Sequence, residues 1–169
     1  MSRILNRAGF TAIELAVVMG VILLMVGLTL PAISRSMRKG RLAESVNTFQ
    51  SMHQQAMSAA QQYQMTWGKP GTVTLSIVGG DKLLLRISGE GYDKDSLYSL
   101  PTTVEAGNDV STDPTIAPIT SLSYFGGTGL PNNPAPGLPR PYFFFQTTDG
   151  KDRARIFIAD SGLTKVETL

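Results

Sequence analysis

The sequence predicts an α+β protein: one long N-terminal helix, its first half able to span a membrane, with an antiparallel β-sheet head on its second half. Three observations predict it. An apolar run from Leu15 to Ile33 contains no charged side chain. An apolar stripe at helical spacing then continues through Leu42, Val46, Phe49, His53, Ala56, Ala60 and Tyr63. From Thr72 onward the pattern changes to short strand-like runs divided by glycine-rich turns.

The apolar run carries only Thr29 as a hydroxyl. At about 1.5 Å per helical residue it nearly crosses a hydrocarbon core of about 30 Å. Glu14 stands at its edge, where a carboxylate costs on the order of 2 to 3 kcal/mol in lipid and either finds a partner or stays at headgroup level. Arg3 and Arg7 form a short basic leader, Gly9 removes side-chain bulk before Phe10, and Glu14 follows Phe10 by one helical turn. A cut between Gly9 and Phe10 would free an α-amine one turn from that carboxylate. In a parallel helix assembly, the ammonium of one subunit could then neutralise the glutamate of its neighbour. Met19, Met25 and Val26 suit helix-to-helix packing, with Gly20 and Gly27 permitting close approach.

The second half of the helix predicts an exposed face of Glu44, Asn47, Ser51, Gln54, Gln55, Ser58 and Gln62 opposite the stripe. Pro31 and Gly40 are its soft points, each costing helix stability relative to alanine. The helix should end near Met65, before the breaker cluster Trp67-Gly68-Lys69-Pro70-Gly71.

In the head, Thr72–Val78 and Lys82–Ser88 flank Gly79-Gly80-Asp81 as a hairpin. Further strands are expected at Leu97–Val104, Ile119–Phe125, Tyr142–Thr148, Arg153–Ala159 and Leu163–Glu167, with turns at Thr148–Lys151 and Asp160–Gly162. The glycine- and proline-rich stretch from Gly126 to Pro141 reads as a mobile surface loop, and Asn108–Pro118 as a second polar insertion.

Composition narrows the function. The 169 residues suffice for one helix and one modest domain. With no cysteine there is no disulfide framework, thiolate metal site or catalytic thiol. Without Arg3 and Arg7 the formal charge is balanced, 13 basic against 13 acidic side chains. Arg35, Arg38, Lys39 and Arg41 cluster after the apolar run, whereas the segment from Thr66 onward is slightly acidic. That balance argues against a general polyanion surface. Charge counts on either side of the run, two arginines before it and four basic residues after it, would by themselves favour the opposite orientation to the one given below.

Three further constellations merit a chemical reading. His53 is the only histidine, so it lacks the second ligand or base that metal binding or catalysis needs and reads as a packed core histidine. Asp93-Lys94-Asp95, near Glu90 and Asp109, offers oxygen ligands for calcium but lacks the spacing of an EF-hand loop and reads as a solvated acidic loop. Tyr142-Phe143-Phe144-Phe145 near Arg140, Arg153 and Arg155 has the ingredients of a single-strand nucleic-acid platform. Strand alternation instead puts Phe143 and Phe145 on one face and Tyr142 and Phe144 on the other, one pair in the core and the other free for a strand or partner subunit. No nucleophile-base pair is visible, so no enzyme and no cofactor are expected.

Arg7-Ala8-Gly9-Phe10-Thr11-Ala12-Ile13-Glu14-Leu15 and its apolar run closely resemble the signal of type IV pilins and type II secretion pseudopilins. The resemblance implies that a prepilin peptidase cuts after Gly9 and methylates the amine of Phe10, that Glu14 guides assembly, and that Pro31 loosens the helix. It also implies a head sheet packed on the exposed half of the helix. The boundaries that follow are a leader at 1–9, a membrane and assembly helix at 10–33, its amphipathic continuation at 34–65 and a β-rich head at 66–169.

More weakly, Ser123-Tyr124-Phe125, Ala154-Arg155-Ile156-Phe157-Ile158 and Asp160-Ser161-Gly162-Leu163-Thr164-Lys165-Val166 resemble the GspH/FimT group of H-type minor pseudopilins and fimbrial minor pilins. Some relatives bind DNA through a terminal Gly-Arg-x-Arg. Here Gly162-Leu163-Thr164-Lys165 keeps the glycine and one basic residue, while Arg153-Ala154-Arg155 has the Arg-x-Arg spacing after Asp152. The resemblance implies a structural subunit of a pilus or pseudopilus, inserted once through the inner membrane with its head in the periplasm. Its partners would be sister subunits, the peptidase/methyltransferase and the inner-membrane assembly platform. The alternative is a DNA-binding minor pilin using Lys165, Arg153 and Arg155.

Overall fold

The computed structural model describes residues 11–67, 71–89, 92–101, 104–106, 117–132 and 141–169. A single helix, α1 (Ala12–Trp67), is followed by strands only, the α+β layout expected. The chain divides into two compact units, one ending at Met37 and the other running from Arg38 to Leu169.

In the first unit every described residue is solvent-exposed. The helix runs through Pro31 without interruption. Proline offers no amide to the carbonyl one turn earlier. Around it hydroxyls bond back to the helix: Thr29 Oγ1 donates to the carbonyls of Met25 and Val26 at 3.0 and 3.2 Å, and Ser34 Oγ to that of Leu30 at 2.8 Å.

The second unit is built on the rest of α1. Leu42, Val46, Phe49, His53, Ala56 and Ala60 are buried as their spacing requires, joined by Ser45 and Met52 on the flanks of the stripe. The polar face from Glu44 to Gln62 is exposed. Two sheets, rather than one, supply the other side of this core. The first comprises β1 (Thr72–Val78), β2 (Lys82–Gly89), β3 (Tyr92–Ser99), β6 (Ser121–Tyr124) and β7 (Pro131–Asn132), in the order β3-β2-β1-β6-β7, all antiparallel. The second comprises β4 (Val104–Ala106), β8 (Pro141–Thr147), β9 (Arg153–Ile158) and β10 (Thr164–Thr168), antiparallel in the order β10-β9-β8-β4. The short β5 (Ala117–Pro118) pairs parallel with β8.

Each sheet turns its alternate apolar residues inward: Val73, Leu75, Leu83, Leu85 and Leu122 from the first, Phe143, Phe145, Ala154, Ile156 and Ile158 from the second. Phe49 of α1 meets Phe143 and Phe145 with ring centroids 4.5 and 5.6 Å apart. The Ala106 amide of β4 donates to the Gly80 carbonyl of the β1–β2 turn at 2.8 Å, joining the sheets.

Two local expectations are corrected. The segment read as an acidic loop is the first half of β3, which begins at Tyr92 and ends at Ser99 instead of running from Leu97 to Val104. Charge does not bar a strand whose outer face is solvated. Asp95 lies opposite Arg86, which grips it with Nε and Nη2 at 2.9 and 2.8 Å. The stretch read as a mobile loop is, over its described part 126–132, docked on α1: the Gly127 amide donates to the Ala60 carbonyl at 3.0 Å, and β7 extends the first sheet. Residues 133–140 of that stretch, like Asn108 to Ile116, lie outside the described residues.

Candidate functional site

The candidate site at the start of α1 is organised by Thr11 and Glu14. Glu14 Oε2 accepts from the Thr11 amide and from its hydroxyl, each at 2.9 Å, and the Glu14 amide donates to Thr11 Oγ1 at 3.3 Å. This is a reciprocal capping box, satisfying amides that a helix start otherwise leaves unpaired. Its sequence signal is Thr-x-x-Glu ahead of an apolar run, a spacing not used among the expectations above. Gly9 and Phe10, to which cleavage and methylation are assigned, lie outside the described residues, as does the leader.

From Thr11 to Ser34 Glu14 is the only charged side chain. The helix is long and apolar enough to cross a membrane by length and composition, with a mean hydropathy of 2.5 and none of that window buried in the chain. Leu23, Leu24 and Leu28 are 69, 66 and 72% exposed. Gly20 and Gly27 have open space around them.

The basic candidates Arg153, Arg155 and Lys165 do come to one place. Strand pairing sets Lys165 opposite Phe157 and Glu167 opposite Arg155, so all three lie on the outer face of the second sheet. They are engaged there. Lys165 Nζ bonds Glu167 Oε1 at 2.8 Å, Arg153 Nε donates to the Gly150 carbonyl at 3.1 Å, and the Arg155 guanidinium lies over the Tyr142 ring at 5.3 Å. The aromatic run is not a free platform. Phe143 and Phe145 line the core, and Tyr142 and Phe144 on the opposite face are also buried, Tyr142 beside Phe157 with centroids 5.4 Å apart. Both pairs are therefore enclosed, where one was expected to be left for a partner.

For calcium, Arg86 already neutralises Asp95, holding its carboxyl below the ordinary value by hydrogen bonding and charge. Glu90 and Asp109 lie outside the described residues. Among the described residues no group of three histidine, aspartate or glutamate side chains could hold a metal ion.

Two features of the head escaped the sequence. Arg38 reaches from α1 to the β8–β9 turn, Nη1 bonding Asp149 Oδ2 at 2.6 Å. The buried Thr147 hydroxyl donates to Asp149 Oδ1 at 2.6 Å and pulls that carboxyl below its ordinary value, with Arg38 adding to the effect. A groove of about 570 Å³ lies between α1 and the β9–β10 hairpin, lined by Leu42, Val46, Asn47, Val166 and Leu169 among others. His53, as expected, is buried.

Comparison of the chain with protein-family models, with curated proteins and with solved structures finds no match.

Proposed function

We propose that this chain is a non-enzymatic structural subunit of a helical filament, a type IV pilin-like protein of the minor pseudopilin kind that takes part in filament assembly and protein secretion. A prepilin peptidase hydrolyses the Gly9–Phe10 bond and methylates the new amine. The helix crosses the inner membrane once, with the head in the periplasm, and sister subunits assemble on an inner-membrane platform.

The observation that carries the reading is Glu14, the sole charge on the exposed apolar stretch of α1 up to Ser34, held at its first turn. Such a surface needs lipid or other apolar helices around it. A carboxylate at its tip needs a cation there. Thr11 engages Oε2, and a carboxylate can accept a neighbour's ammonium through its second oxygen.

The test is intact-mass and N-terminal analysis of the protein from membranes made with and without the peptidase. A chain starting at methylated Phe10 only when the peptidase is present is the expected result. A chain starting at Met1 in both, or just after the apolar run, removes the filament reading.

The second reading, a DNA-binding minor pilin, is favoured by one observation, the shared face of Arg153, Arg155 and Lys165. It predicts salt-dependent DNA retention that falls when the three are changed to alanine. Absence of retention at low salt removes it.

A further inference from the structure

His53 lies on α1 with 1% of its surface exposed, and both of its ring nitrogens are bonded. Nε2 is 2.9 Å from the Gly162 carbonyl, in the turn between β9 and β10 of the second sheet. Nδ1 is 2.7 Å from the hydroxyl of Tyr124, the last residue of β6 in the first sheet. A carbonyl oxygen only accepts, so Nε2 carries the proton. In the neutral ring Nδ1 is then the acceptor, and the Tyr124 hydroxyl donates to it. One imidazole thus ties both sheets to the helix, and only in this tautomer are all three groups satisfied.

Near both contacts the chain also presses on α1 directly. Gly162 has φ +80°, and a side chain there would strike Met57 Cε and Sδ. In the connection between β6 and β7, a Cβ at Gly129 would stand 2.5 Å from the Met57 carbonyl oxygen.

We propose that His53 is an acid-release bolt: neutral, it locks the β6 and 160–162 segments onto α1, and protonation of Nδ1 takes away the acceptor of the Tyr124 hydroxyl and leaves a buried cation held by the Gly162 carbonyl alone, which favours opening of the site. A second proton would put N–H against O–H inside a buried site, so the hydroxyl would have to turn and its own proton would lose its partner. Leaving that donor unpaired is unfavourable.

Among the described residues no charged group compensates the cation. The titratable group bonded to the ring is the Tyr124 phenol, itself pushed above its ordinary value by burial. From Ser45 to Trp67 α1 has no charged side chain, and β1, β6 and β7 have none. In the turn, Asp160 is exposed, and on β10 Lys165 and Glu167 neutralise one another on the outer face. Burial accordingly pushes the imidazole below its ordinary 6.5, against the smaller opposing pull of the Gly162 carbonyl. A depressed value in the closed head means that the bolt is fully set above pH 6.5. It is released progressively as pH falls from there toward the closed-state value.

The test uses the full chain in detergent micelles, where the single histidine makes the ring signals unambiguous. Nitrogen shifts should show the Nε2–H tautomer near neutral pH and a titration midpoint below that of a free imidazole. Amide exchange at Ala159 and Gly162, corrected for its intrinsic pH dependence, should report opening that grows by up to about tenfold per pH unit within the window. His53→Gln should flatten that dependence. An Nδ1–H ring, a midpoint at or above the free value, or equal pH dependence in wild type and His53→Gln overturns the proposal. Should His53→Gln not fold, the tautomer and midpoint of the wild-type ring decide alone.

Discussion

Two stretches of one helix meet opposite fates. Residues 12–34 carry one charge and are exposed throughout, whereas residues 42–60 carry an apolar stripe that two sheets cover. Backbone geometry is the same, so what differs is the azimuth of the apolar side chains. Where they occupy one face, a sheet can bury them and leave the glutamines wet. Where they occupy every face, only a surrounding medium of lipid or other helices can.

Removing a large side chain from each stretch separates these cases most strongly. Phe49→Ala opens a cavity among Phe143, Phe145 and the rest of the core and should cost the head about 3 to 5 kcal/mol. Leu23→Ala, at 69% exposure, should leave the head's denaturation midpoint unchanged. Chemical denaturation of the full chain in detergent measures both, and equal losses would mean that the two stretches do not differ as described.

A charge probes the medium instead of the core. Leu23→Arg, near the middle of the apolar run, should weaken membrane insertion by about 2.5 to 3.5 kcal/mol, seen as a shift from the membrane to the soluble or aggregated fraction. Head stability should not change. A head that melts earlier would show that the exposed half packs on protein after all.

At the other end of the comparison, the covered half depends on close approach. Gly162→Ala sets a Cβ against Met57 at a positive φ and should destabilise the head by roughly 2 kcal/mol. Met57→Ala in the same chain should recover part of the loss, because it removes the struck atoms. No recovery would assign the whole cost to backbone strain.

How much of this was legible in the sequence depended on whether the deciding interaction was local. The stripe from Leu42 to Ala60, the β1–β2 hairpin, the β8–β9 pair and the burial of the lone histidine follow from periodicity and turn chemistry within a few residues. The division into two sheets did not, because β6 returns some way along the chain to pair with β1, and nothing within either segment names its partner. Asp93-Lys94-Asp95 reads as a loop from its own charges, and what makes it a strand is the segment opposite, where Arg86 faces Asp95. The docking of Gly127 and Gly129 was hidden because glycine marks both a mobile loop and a close approach. The membrane-compatible helix is plain from composition, and the capping-box spacing of Thr11 and Glu14 is equally local, although the stronger pattern around it masks it.

That overlooked pair gives the smallest predicted effect and the sharpest check on the uncovered half. Thr11→Ala removes the hydroxyl that accepts from the Glu14 amide and donates to Oε2, and should cost about 1 kcal/mol, the usual worth of an N-cap. The loss should appear as faster exchange of the Ala12 to Leu15 amides alone. The Phe49 and His53 region should be silent. Thr11→Ser keeps the hydroxyl and should restore protection. Exchange unchanged in Thr11→Ala would mean that the surrounding medium, rather than the cap, fixes the start of the helix, and that Glu14 is then held by something other than its own first turn.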